Sequence, residues 1–155
     1  MQTNQKILQT ALVYGVVSGV ALGISEIALV FALLLVPYPL ALFVGRFAFV
    51  LLVLAYLYAG YNASRQTGQV FTGTLAGALT GVFGVATVVA FSYIASFLSM
   101  NVLFDPQSFM GLPGSLVVAS PVLSPLVRLI LTFAFYGAIG GTVGGLIGKR
   151  RSAYP

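Results

Sequence analysis

Cysteine and histidine are both absent from the 155 residues, and only Glu26 and Asp105 are acidic. Each absence removes a class of chemistry. Without thiols there are no disulfides, thiolate nucleophiles or iron–sulfur clusters, and without imidazole the usual ligands of zinc and haem are missing. Two acids, one in an apolar run and one in a breaker-rich stretch, make no evident carboxylate pair for acid–base work. No Ser-Lys arrangement stands out either. The expectation is a chain that is not an enzyme and that holds no metal or cofactor, although a lipid or pigment has room against its glycine and aromatic faces. Charge is also scarce. Only 6% of residues are charged while 59% are hydrophobic, whereas soluble domains carry about 25% charged residues. The net charge of +5 is not read as a nucleic-acid footprint, because the basic residues cluster at the ends of apolar runs, where membrane topology explains them.

What the sequence does have is long apolar runs. The first covers residues 7–36, roughly 45 Å as a helix, which exceeds a ~30 Å hydrocarbon core. It is too long for the about 7–15 apolar residues of a signal peptide, so a retained, tilted span is expected. Pro37-Tyr38-Pro39 ends it, since proline lacks the amide proton and turns its predecessor from helical geometry. A second span is expected over about 40–61, with Tyr56, Tyr58 and Tyr61 forming an interfacial belt at its end. A polar loop is expected over 62–69, a third span over 70–98, and an outer loop over 99–120. That last stretch carries Asp105, Pro106, Gly111, Pro113 and Gly114 among apolar residues, which suggests an interfacial or re-entrant course. A fourth span is expected over about 122–148, with Ser124-Pro125 suited to open a helix.

The fold class expected is all-α: one polytopic membrane domain over 1–155, a four-helix bundle of alternating direction. Lys6, Arg65, Lys149, Arg150 and Arg151 then fall on one side, and the opposite loops contain no Lys or Arg. The positive-inside rule puts both termini in the cytoplasm. The place expected is the cell (inner) membrane of a prokaryote.

Glycine recurs at helical spacing in three of the spans: Gly15, Gly19 and Gly23; Gly73, Gly77, Gly81 and Gly84; and Gly137, Gly141, Gly144 and Gly148. Glycine is common in membrane helices in general, but such GxxxG stripes also let backbones approach closely. All three stripes fall in the cytoplasmic half, so three helices are expected to meet there as a glycine zipper. The second span, rich in Leu, Val and Phe, is expected at the periphery, facing lipid. Phe43, Phe47, Phe91 and Phe97 would then fill a wider outer half.

Three ionisable side chains interrupt the apolar runs: Glu26, Arg46 and Arg128. An intramembrane charge costs about 2.5–3.5 kcal/mol on insertion scales, so each is a candidate functional residue. Arg46 and Arg128 lie near span ends and can snorkel outward. Glu26 lies roughly 15 Å from its helix end, too deep for so short a side chain to reach water. It shares a face with Gly15, Gly19 and Gly23. A pair with Arg46, a protonated carboxyl bonded to hydroxyls or backbone, and an ion- or proton-handling group all remain open. The function expected is a non-catalytic membrane subunit that packs through glycine-rich faces into a larger complex or a homo-oligomer. The alternative is a small channel or transporter using Glu26 with Arg46 and Arg128. The partners expected are the lipid bilayer and other membrane subunits or further copies.

Overall fold

The computed structural model describes residues 2–35, 38–97 and 125–152. Within these the chain forms helices α1 (Gln2–Leu35), α2 (Tyr38–Thr67), α3 (Val70–Phe97) and α4 (Pro125–Ser152). No strand occurs among the described residues. All four helices are long and apolar enough to cross a membrane. The expected outer loop at 99–120 lies outside the described residues, as does the breaker Pro37.

The distribution of side chains is the reverse of a water-soluble bundle. Val13, Val17, Phe43, Phe71, Leu131 and Phe135 all stand on the outside. The interior is made of small groups: Ala11, Ala59, Ala63 and Ala76 are fully enclosed, as are Ser64, Thr72 and Thr80. In water, burial of large apolar groups drives folding. In lipid that drive is absent between helices, and close packing of small residues with interhelical hydrogen bonds replaces it.

The glycine contacts fix the direction of each helix. On α1, Gly15, Gly19 and Gly23 meet Ala76, Thr80 and Gly84 of α3 in the same order, so these two helices run parallel. On α4, Gly137 and Gly141 meet Gly77 and Gly73 of α3 in reverse order, so this pair is antiparallel. Farther along α4, Gly144 and Gly148 press on the backbone of Leu57 and Tyr61 of α2. Helices α2 and α3 lie between α1 and α4, which do not touch each other among the described residues.

Three expectations are corrected here. The glycine stripes do not meet at one point but at separate seams: α1 on α3, and α4 on both α3 and α2. The α1 stripe sits on Leu79, Phe83 and Thr87 as well as on Gly84, while Gly73, Gly77 and Gly81 of α3 face the other way, toward α4. Second, α2 is not a peripheral, lipid-facing helix. Tyr56, Ala59, Gly60, Ala63 and Ser64 are all buried, and a Cβ on Gly60 would overlap the carbonyl oxygen of Gly141. Phe43 and Phe47 are exposed rather than filling an interior, while Phe91 packs edge-on against Phe31 at 6.0 Å.

Third, most of the expected loop at 62–69 is helix. Helix α2 continues to Thr67, and its polar side chains bond back to helix carbonyls: Asn62 Nδ2 donates to Tyr58 O at 2.9 Å and Thr67 Oγ1 to Ala63 O at 3.0 Å. Gly68 then takes a left-handed φ of 70° and its N–H donates to Ser64 O at 2.7 Å. That is a glycine cap, and it leaves only Gly68 and Gln69 to reverse the chain. Ser64 Oγ closes the turn by donating to Gln69 O at 2.6 Å.

A candidate intramembrane carboxyl site

Glu26 follows Gly23 by one turn of α1, just beyond the tight contact of Gly23 with Thr87 and Gly84. Its side chain is half-buried. Among the described residues it forms no ion pair, with Arg46 or any other base. Arg46 is exposed on α2, so the expected Glu26–Arg46 pair does not form.

Tyr56 of α2, unlike Glu26, is fully buried. Tyr56 is 2% exposed and is the largest side chain fully enclosed in the bundle. Its place is cut by glycine. A Cβ on Gly140 would stand 2.7 Å from Tyr56 Cβ, and one on Gly137 would stand 3.2 Å from Tyr56 Cε1. Room for the ring therefore exists only because α4 lacks side chains there. The phenol donates to Phe133 O of α4 at 3.4 Å, a long bond. Tyr56 thus fastens α2 to α4. From sequence, Tyr56 reads as one of three belt tyrosines, and the signal that separates it is the run of small residues Ala59, Gly60 and Ala63 on its own face.

Arg128 is half-buried on the first turn of α4. Its Nε is enclosed and makes no hydrogen bond among the described residues, while its carbonyl accepts from Thr132 Oγ1 at 2.8 Å. The hydroxyls between these charges are committed locally. Ser25, Thr80 and Thr87 each donate to a carbonyl four residues back on their own helix. An apolar groove of about 380 Å³ lies between α1 and α2, walled by Val17, Leu22, Leu51 and Leu54 and edged by Ser18 and Ser25.

Chemically, this arrangement offers one carboxyl group, able to exchange a proton or hold a cation. Among the described residues there is no second acid beside it, and no group of His, Cys, Asp or Glu side chains there could hold a metal ion. The other interhelical polar contacts lie toward the Gly68 end: Thr74 with Thr142 at 2.8 Å, and Gln66 Nε2 donating to Tyr14 at 2.6 Å. These are fastenings between helices rather than a site. No family model, no curated protein and no solved structure matches the chain.

Proposed function

We propose that the chain is a non-catalytic integral membrane subunit, with both termini in the cytoplasm, that joins a larger membrane complex or further copies of itself. The observation that carries this reading is the closed interior. Glycine brings backbones into contact where α3 meets α1 and α4 and where α4 meets α2, and Thr80 and Thr87 are bonded to their own helices. A solute path needs a polar-lined route, often with broken helices. The glycine repeats act as a zipper inside the bundle, so association falls to the outer faces, such as Val13, Val17, Val20 and Ile24 of α1. Extraction from native membrane in mild detergent, followed by size separation, tests this. Co-elution with larger partners or as a defined homo-oligomer is expected, and a lone monomer at every protein concentration would sink it.

A second reading, a small channel or transporter, draws on two observations among the described residues: Glu26 has no ion-pair partner, and Arg128 Nε is enclosed without a hydrogen bond. Purified protein in liposomes distinguishes the two. Ion flux that disappears in Glu26→Gln would favour transport, and no flux above that of empty liposomes is expected for a subunit.

A further inference from the structure

Helix α1 carries a second face of small residues. Ser18, Ala21, Ser25 and Ala28 follow the spacing i, i+3, i+7, i+10, which is one side of a helix. It is a different side from that of Gly15, Gly19 and Gly23, which pack on α3. Small residues on a membrane helix let another helix approach closely, yet Ala21 and Ala28 are exposed, so no described helix is seated on them. This side opens into the groove of about 380 Å³ between α1 and α2. Ser18, Ala21 and Ser25 stand on one wall, and Leu51, Leu54 and Tyr58 on the other.

An independent feature bears on what fills the groove. Ser18 is 8% exposed and lines it, yet its hydroxyl makes no hydrogen bond among the described residues. Ser25 differs, because its hydroxyl donates to Ala21 O at 2.8 Å. Ser18 stands about 18 Å along α1 from Lys6, near the middle of a ~30 Å hydrocarbon core. Lipid at that depth is hydrocarbon, so an acyl chain in the groove would leave the hydroxyl unpaired at a cost. A neighbouring transmembrane helix brings hydroxyls and carbonyls to that depth. A hydroxyl both donates and accepts, so two identical faces satisfy each other across a two-fold axis. Copies inserted in the same direction share an axis along the membrane normal, which sets like residues at like depth.

We propose that the Ser18–Ala28 face of α1 is the interface between two copies of this chain. Each α1 sits at the mouth of the other copy's α1–α2 groove, and Ser18 bonds to the helix that enters. The inference rests on the membrane-subunit reading above and deepens it by naming the partner and the face.

The chain has no cysteine, so a variant with one introduced thiol tests the face directly. Ala21 and Phe135 are both exposed, the first on the proposed interface and the second on α4, which α1 does not touch among the described residues. Oxidation of native membranes with copper phenanthroline is expected to give a disulfide-linked dimer from Ala21→Cys and only monomer from Phe135→Cys. Self-association of the full chain, fused to fluorescent proteins in phosphatidylcholine liposomes and read by energy transfer on dilution, measures strength. It is expected to weaken about threefold in Ser18→Ala, the size of one interhelical hydrogen bond in a membrane. Ala21→Leu adds bulk at an exposed position, so it keeps the fold and is expected to abolish energy transfer. Monomer from Ala21→Cys, equal dimer from both thiols, or unchanged association in Ser18→Ala or Ala21→Leu would overturn the proposal. Co-elution with larger partners would then leave the subunit reading standing without it, whereas a lone monomer at every concentration sinks both.

Discussion

At Gly77, a single added methyl group would collide with backbone. Its Cβ would overlap the carbonyl oxygen of Gly137 and stand 2.7 Å from the Cα of Gly141. Neither obstacle can rotate away, since both belong to the rigid frame of α4. Gly84, two turns farther along the same helix, presents the opposite case. Its Cβ would meet the flexible end of Leu22 at 3.4 Å and the carbonyl oxygen of Gly19 at 3.5 Å, both ordinary contacts. Gly77→Ala is therefore expected to destabilise the bundle by about 1–3 kcal/mol, the usual size of an overpacking effect. Gly84→Ala is expected to be neutral, because the new methyl finds space and alanine is the better helix former. Thermal unfolding of the two variants in the same detergent makes the comparison, and equal midpoints would show that the α3–α4 seam is looser than described. In the sequence the two glycines belong to one stripe, Gly73, Gly77, Gly81 and Gly84, and spacing alone does not tell them apart.

At the scale of elements, the end of α2 depends on a single conformation. Gly68 sits at φ 70° with nothing within 4 Å of an added Cβ, so any penalty there is conformational rather than steric contact with neighbours. Gly68→Ala should lower stability by roughly 1–2 kcal/mol, the cost of a left-handed L-residue. Gly68→Asn should recover much of it, because asparagine tolerates that region. If both variants melt alike, the cap is not what ends the helix. Four long apolar helices were legible from apolar length: they run over Gln2–Leu35, Tyr38–Thr67, Val70–Phe97 and Pro125–Ser152, where the apolar runs suggest 7–36, 40–61, 70–98 and 122–148. The largest error was at 62–69, where Asn62, Ser64, Arg65 and Gln66 end the apolar signal without ending the helix. Hydropathy reports where lipid stops, not where backbone hydrogen bonding stops. The packing of α2 was missed for a related reason. Its small face uses alanine and serine (Ala59, Ala63, Ser64) around one glycine, and these serve close approach as glycine does. The carboxyl site was half legible: Glu26 stands out as an acid in an apolar run, but whether Arg46 meets it depends on which way α2 faces, and no local pattern states that.

For the molecule as a whole, the contacts place the N-terminal end of α1 and the turn between α2 and α3 at one end of the bundle. Gln66 Nε2 reaches Tyr14 at 2.6 Å, and the groove of about 240 Å³ between α1 and α3 is lined by both Asn4 and Gln69. Lys6, Arg65 and Arg150 gather at this same end, and basic residues are retained on the cytoplasmic side during insertion. The absence of cysteine makes the side directly measurable, because one introduced thiol is the only one present. Gln5 and Gln69 are exposed, so replacing either disturbs no packing. In intact cells, Gln5→Cys and Gln69→Cys are both expected to resist a membrane-impermeant maleimide, and both should label fully once the membrane is permeabilised. Labelling of both from outside would invert the orientation and remove positive charge as its cause. Labelling of only one would be graver, since two sites at one end of a bundle cannot face opposite compartments unless the helices cross the membrane in a different order.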